Sequence, residues 1–263
     1  MNAENLRKSL PADLAQAVSG YAWRQIHVGC SMAQMFRLEA ENKKSLYLKI
    51  AARLSGNSLM PEKLKLEWLK NQLFVPKVVL FAEDENTDYL LLSEISGIDA
   101  SDDSLSENAA DVIEQLAKGL KMVHSLPIES CSFNARLDYK IELAKERMLK
   151  GLVDESDFDD ERAGRHAEDL FQELLATKPS EEDLVFTHGD YCFPNIILEN
   201  GKLSGVIDWG SAGVADRYQD IALLARSVWY NFGEDWGKIV FEIYDIEPDW
   251  EKIHFYKLLD EFL

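Results

Sequence analysis

The stretch Thr187-His188-Gly189-Asp190-Tyr191-Cys192-Phe193-Pro194-Asn195, followed by Gly205-Val206-Ile207-Asp208-Trp209-Gly210, decides how this chain reads. The first segment carries the spacing H-x-D-x-x-x-x-N and the second D-x-G. Between them, Asn195 to Leu198 and Leu203 to Ile207 read as two short strands around the polar turn Glu199-Asn200-Gly201-Lys202. A hairpin of that kind returns both acids to the same end of one lobe. Either segment alone reads as an ordinary turn. Both together, in this order around a hairpin, are hard to obtain by chance.

Upstream, the chain reads as mostly β. Short, partly alternating runs cover Trp23 to Val28, Ala33 to Glu39, Ser45 to Ile50, Lys77 to Phe81 and Tyr89 to Ser93. A helix is predicted after Met60, with Pro61 suited to a first helical position and Leu64, Leu66, Trp68, Leu69 and Leu73 on its apolar side. From about residue 97 the periodicity turns helical, over Asn108 to His124, Tyr139 to Leu149 and Ala167 to Ala176. The acidic stretch from Gly151 to Gly164 reads as irregular, and helices finish the chain. The expected fold is α+β and bilobal: a small β-rich N-terminal lobe (1–96) joined near Glu94 to Gly97 to a larger, mainly helical C-terminal lobe (97–263). Lobes of that kind share a cleft of the sort in which nucleotides bind.

The residue types suit phosphoryl transfer. Such a reaction needs a carboxylate to position the attacking hydroxyl and take its proton, a role for Asp190. It also needs Mg²⁺, which prefers a few hard oxygens beside phosphate and water, and Asn195 and Asp208 offer them. Gly210 permits a sharp turn behind the metal ligand. His188 is expected to brace the loop by hydrogen bonds rather than exchange protons. Lys49, at the end of the strand Tyr47-Leu48-Lys49, is placed to meet nucleotide phosphates, or else is a solvated strand-end lysine. Its expected acidic partner on the following helix is Glu62, with Glu67 second. In the candidate phosphate-covering loop, Gly29-Cys30-Ser31-Met32-Ala33, a single glycine stands where G-x-G-x-x-G would have three. Ser31 can offer a phosphate its hydroxyl or N–H, although a plain hairpin reads the same way.

Bulk properties narrow the partners. A net charge of −19 argues against nucleic acid and favours a cationic ligand, although acidity also serves solubility alone. No run approaches the roughly 20 apolar residues of a membrane span, and the N-terminal segment has no secretory apolar core. Cys30, Cys131 and Cys192 are scattered and odd in number, which fits a reducing cytoplasm better than a disulfide framework.

With these residues in hand, the chain resembles the aminoglycoside 3′-phosphotransferases, antibiotic-resistance enzymes with a protein-kinase-like fold. The resemblance runs over essentially the whole length. It is densest from Val185 to Asn195, in Gly213-Val214-Ala215-Asp216-Arg217-Tyr218-Gln219-Asp220-Ile221-Ala222, and in Leu258-Leu259-Asp260-Glu261-Phe262-Leu263. The segment from Gly151 through Asp154 to Phe158-Asp159-Asp160-Glu161 also looks like that family. His-Gly-Asp alone is shared with other small-molecule kinases; the other runs are more specific.

The resemblance implies ATP or GTP as phosphoryl donor and Mg²⁺ as cofactor. It implies that Tyr47 stacks on the purine, that Ser93-Glu94-Ile95 offers it backbone hydrogen bonds, and that Asp220 braces the catalytic loop. It further implies an acceptor 3′-hydroxyl on an aminoglycoside held by Asp159, Asp160, Glu161, Arg226, Asp260, Glu261 and the carboxylate of Leu263. A polyamine sugar suits such a set, since each charge-assisted hydrogen bond contributes roughly 1.5–3 kcal/mol. A small-molecule enzyme of this kind is expected to work as a monomer or weak dimer.

Some positions depart from the family pattern. Ser211 stands where members usually carry Arg, and Ser227, Tyr230 and Asn231 stand where acids are common. Trp229 and Tyr230 could pack on a sugar ring instead. These departures bear on the range of acceptors. Two other readings compete: a kinase acting on a different cationic or sugar acceptor, and a non-catalytic cation-binding module. An acceptor screen separates the first. The intact set Lys49, Asp190, Asn195 and Asp208 argues against the second.

Overall fold

The computed structural model describes residues 6–7, 9–26, 33–53 and 58–263. Contacts divide the chain into two compact units, Met1–Ser96 with Gly205–Gly210, and Gly97–Ser204 with Ser211–Leu263.

In the first unit, strands β1 (Ala22–Ile26), β2 (Gln34–Glu39), β3 (Leu46–Ala52), β4 (Val78–Glu83) and β5 (Thr87–Ser93) form one antiparallel sheet in the order β1-β2-β3-β5-β4. Successive strand residues face opposite sides. Phe36 pairs with Leu48, Leu48 with Leu91 and Ile50 with Tyr89, so their side chains share one face. Together with Leu14 of helix α1 (Ala12–Ala17) they build a buried apolar cluster. Met35, Lys49 and Leu90 are paired in register on the opposite face. Alternation therefore aims Lys49 away from that cluster.

Helix α2 (Met60–Leu69) follows β3, with Pro61 in its first turn as expected. Two sequence expectations fail here. Leu64 is exposed and Leu73 lies beyond the helix end, while Glu62 and Lys65 are buried instead. The inward face was chosen by polar chemistry, which an apolar-periodicity argument does not see.

The second unit is mainly helical: α3 (Ala109–His124), α4 (Leu137–Leu149), α5 (Ala167–Ala176), α6 (Tyr218–Phe232), α7 (Gly237–Tyr244) and α8 (Trp250–Asp260). Val112, Ile113, Leu116, Leu120 and Val123 of α3 are buried, and burying each such side chain contributes about 1.5–3 kcal/mol. Helix α3 packs on α7, and α6 on α8. Strand β7 (Leu184–Thr187) pairs antiparallel with β10 (Gly213–Asp216), and β6 (Ile98–Asp99), β8 (Ile196–Glu199) and β9 (Lys202–Val206) form a second small sheet. The β8–β9 turn has Asn200 at φ 53° and Gly201 at φ 72°, the left-handed pair that a tight two-residue hairpin requires. Strands β6, β7 and β10, two to four residues long, were not legible as strands because none borders a hairpin turn like the one that marks β8 and β9.

Candidate active site

In the first unit, Lys49 is no strand-end lysine. Strand β3 continues to Ala52, and Lys49 is buried, 6% exposed. Its Nζ donates to Glu62 Oε1 at 2.8 Å, Glu62 Oε2 at 2.9 Å and Asp208 Oδ1 at 2.9 Å. Burial works against the ammonium charge, but the two carboxylates outweigh it and hold Lys49 above the ordinary lysine range. Glu67, the second candidate, pairs instead with Lys63 at 2.9 Å.

Asp208 adopts φ 62°, a left-handed conformation that costs a non-glycine residue about 1–3 kcal/mol. Three contacts hold it there. Lys49 takes its carboxylate, Lys65 donates to the Gly210 carbonyl, and the fully buried Trp209 donates its indole N–H to the Val206 carbonyl at 2.8 Å. Lys65 lies three residues after Glu62, on the same face of α2. The three-residue spacing of Glu62 and Lys65 is the sequence signal for this second lysine.

Tyr47 lies two residues before Lys49, half-buried on β3. The Ser93 N–H donates to the Lys77 carbonyl and the Glu94 N–H to the Ser45 carbonyl. The segment's candidate donor for a purine thus narrows to Ile95, beside the Ser93 carbonyl. Ser31 lies outside the described residues, as does the rest of the candidate phosphate-covering loop up to Met32.

In the second unit, strand β7 delivers Thr187, whose hydroxyl donates to the Gly213 carbonyl at 2.9 Å, directly into the loop that carries Asp190. The N–H groups of His188 and Gly189 donate to Asp220 Oδ2 and Oδ1, each at 2.7 Å. Asp220 is fully buried in the first turn of α6, where the helix dipole favours a negative charge. His188 accepts the Asp190 N–H at Nδ1 (3.3 Å) and stands edge-on to Tyr191. That is a bracing geometry.

Gly189 adopts φ 86°, and a Cβ there would lie 2.4 Å from the Ser211 carbonyl oxygen. Because the clash is with backbone, Gly189→Ala is expected to lower stability by more than about 2 kcal/mol and turnover with it, read by thermal melting and steady-state rates. A wild-type melting temperature would contradict this account of the loop.

The amide of Asn195 donates through Nδ2 to Asp190 Oδ2 (2.8 Å) and to the Asp190 carbonyl (3.0 Å). That orientation turns its oxygen, a hard ligand, toward other partners. The Asp208 carboxylate in the first unit and the Asn195 amide oxygen in the second are each a donor type that Mg²⁺ selects.

The acidic residues divide. Asp159, Glu161, Asp260 and Glu261 converge on cations, of which sequence reasoning named Arg226 and missed Arg162 and Lys257. Arg162, 2% exposed, pairs with Glu161 (2.5 Å), Glu261 (3.2 Å) and Asp159 (3.5 Å). Lys257 pairs with Glu161 at 2.7 Å, and Arg226 with Asp159 at 3.4 Å and with Asp260. Glu261 also accepts the Asp159 N–H at 3.2 Å, tying the two acidic segments together. Asp160 shares the turn with an exposed side chain, and Leu263 donates its N–H to the Asp260 carbonyl.

Burial raises the pKa of the Asp260 carboxyl against the pull of Arg226, and the charge of Asp190 adds to the rise. The patch and Asp190 are thus in electrostatic reach of one another. Lys140, buried on α4, also feels Asp260, Asp220 and Asp190; burial lowers its pKa despite them. Of the two rings that could pack on a sugar, Trp229 stacks on Trp250 with Lys257 over its ring, and Tyr230 is 90% exposed. The indole ring is thus already covered on the protein side.

A buried lysine clamped to a helical acid and a strained aspartate, together with an Asp–Asn loop seated on a buried aspartate, define a kinase-like phosphotransferase. A model of the phosphotransferase enzyme family matches residues 22–256. An aminoglycoside 3′-phosphotransferase of Niallia circulans is 40% identical over 89% of this chain and 90% of its own length. One from Escherichia coli is 36% identical over 98% and 94%. Among solved structures, aminoglycoside-3′-phosphotransferase of type VIII superposes with a TM-score of 0.87 at 33% identity, covering 99% of this chain and 97% of its own. An aminoglycoside phosphotransferase of Streptomyces rimosus, solved with ADP and streptomycin, gives 0.84 at 25% identity over 100% and 99%. The chain belongs to the aminoglycoside 3′-phosphotransferase family.

Proposed function

We propose that this enzyme moves the γ-phosphoryl group of ATP or GTP to the 3′-hydroxyl of an aminoglycoside. The observation that carries this reading is the convergence of the acidic segments 159–161 and 260–261 within electrostatic reach of Asp190. The relatives named as aminoglycoside 3′-phosphotransferases support the acceptor class.

The roles follow from chemistry. Asp190 orients the acceptor hydroxyl and accepts its proton as the phosphoryl group leaves the nucleotide. Lys49, held charged by Glu62 and Asp208, offers its ammonium to nucleotide phosphate. Asp208 and Asn195 would hold Mg²⁺, which supplies charge neutralisation on the phosphates when bound. Tyr47 offers a ring face to the purine, and Ser93 and Ile95 offer backbone groups. Residues 1–96 thus serve the nucleotide and residues 97–263 the acceptor, with the Asp208 segment grouped with the former.

Asp159, Asp160, Glu161, Asp260 and Glu261, with the Leu263 carboxylate, take acceptor amines, and Arg226 orders Asp159 and Asp260. Arg162, Arg226 and Lys257 neutralise part of the patch, which favours acceptors of moderate rather than maximal cationic charge. The chain charge of −19 speaks against nucleic-acid partners, and no helix among the described residues is long and apolar enough to cross a membrane. We place the enzyme in the cytoplasm as a monomer or weak dimer.

Burial and the neighbouring Asp159 push the Glu261 carboxyl up to about 7, against the pull of Arg162. The patch therefore gains a negative charge as pH rises through that value. The KM of a cationic acceptor whose own charge is constant should fall between about pH 6 and 8, and Glu261→Gln should flatten the change. A wild-type profile retained in Glu261→Gln would remove Glu261 from this role. The function itself is tested by following nucleotide consumption with kanamycin, neomycin and a panel of metabolite amines and sugars. Turnover confined to the aminoglycosides is expected; turnover with none of them would overturn the acceptor assignment.

A further inference from the structure

Asp220 receives a third donor behind the catalytic loop, and the source of that donor runs deep into the second unit. His124, buried at the end of α3, places Nε2 3.0 Å from Asp220 Oδ2. Its Nδ1 lies 2.7 Å from the hydroxyl of Tyr244, the last residue of α7. That hydroxyl in turn lies 3.0 Å from Arg217 Nη1. Arg217 is itself fixed by Asp183, through Nη2 to Oδ1 at 3.0 Å and an Nε–Oδ2 ion pair at 2.6 Å.

The chemistry of the two ends gives this chain a direction. A guanidinium only donates, so the Tyr244 oxygen accepts from Arg217. An ionised carboxylate only accepts, so Asp220 accepts a hydrogen bond from each of its three partners. In the arrangement that gives every proton an acceptor, Tyr244 donates to His124 Nδ1 and His124 donates from Nε2 to Asp220. The opposite tautomer would set the Nε2 lone pair against the carboxylate.

We propose that Arg217, Tyr244 and His124 form a directed hydrogen-bond relay that locks His124 as its neutral Nε2–H tautomer, making them positioning residues for the loop that carries Asp190. The consequence is geometric. Asp220 accepts the N–H groups of His188 and Gly189, the two residues before Asp190. A carboxylate held by His124 keeps those N–H groups, and therefore the Asp190 backbone, in one orientation. Only the kinetic consequence rests on the function proposed above; the tautomer does not.

The test joins a spectroscopic and a kinetic readout on the full chain. In protein labelled with ¹⁵N at histidine, two-bond proton–nitrogen correlation spectra report which ring nitrogen bears the proton. The His124 signals are assigned by their absence from His124→Gln. Wild-type His124 is expected to carry a proton on Nε2 and none on Nδ1, and Tyr244→Phe to disturb that pattern. In Tyr244→Phe, kcat should fall about tenfold, the order expected for losing one orienting hydrogen bond, with both KM values unchanged within about twofold. His124→Gln, which keeps a donor near the Nε2 position, should recover most of the turnover that His124→Leu loses. A proton on Nδ1 in the wild type, alone or beside one on Nε2, overturns the relay. So does a Tyr244→Phe enzyme with unchanged kcat, or one whose KM values rise as far as kcat falls. Should Tyr244→Phe fail to fold, the wild-type spectrum decides the question. An inactive wild type with the Nε2–H signature would leave the relay standing and remove only the kinase reading.

Discussion

Asp190→Asn is expected to lower turnover by about 10²–10⁴-fold while leaving the fold and both KM values near wild type, the range by which a positioned general base accelerates proton transfer. The fold should survive because the carboxylate accepts its side-chain hydrogen bond from Asn195 through one oxygen, which the amide of an introduced asparagine still provides. The loop itself is held by other groups, namely Asp220 on the His188 and Gly189 N–H groups and the Thr187 hydroxyl on Gly213. Rates beside thermal melting check both halves of the expectation. A variant within tenfold of wild-type turnover would mean that another group takes the acceptor's proton.

Lys49→Met is expected to damage both stability and activity. It removes the cation from between Glu62, 4% exposed, and Asp208, leaving a buried carboxylate without its partner. Breaking a buried pair in this way costs about 3–5 kcal/mol, and for a chain of this size a melting point on the order of 10 °C lower. Asp208 also loses one of the contacts that hold its left-handed backbone. Lys49→Met with Glu62→Leu should regain most of the stability, since neither charge then remains unpaired, but none of the turnover. If the double variant recovered activity, Lys49 would be a structural lysine and nothing more.

How far these residues were legible from sequence depends on what fixed them. Long elements with strong apolar periodicity, such as α3 and α5, were readable to within a residue or two because burial of one helical face determines them. The spacing of Asp190, Asn195 and Asp208 around a hairpin was readable because a sharp turn and an Asn-Gly pair leave local signatures. What escaped is decided by tertiary partners. Lys49 looked like a strand end, since β3 extends through Ala51 and Ala52 on the strength of pairing with Asp88 and Thr87. Strands β7 and β10 are four residues each, stabilised by one another across some 26 positions of sequence, from Thr187 to Gly213.

The acidic patch shows the same limit. Acids at 159–161 and 260–261 stand out by charge, but their compensation by Arg162, Arg226 and Lys257 is a matter of packing. Arg162 is the one base between Gly151 and Gly164, and that exception is the only local sign of the compensation. A buried guanidinium flanked by carboxylates at 2.5–3.5 Å joins Asp159 and Glu161 to Glu261.

The most direct measurement is product analysis after incubating kanamycin, neomycin and a 3′-deoxy analogue with Mg²⁺ and ATP. ³¹P and proton NMR would locate any transferred phosphate. A phosphate ester at the 3′ position of the first two, and no product from the analogue, is the result predicted here. Phosphorylation of the 3′-deoxy analogue to the same extent, or an ester at another hydroxyl of kanamycin, would contradict it.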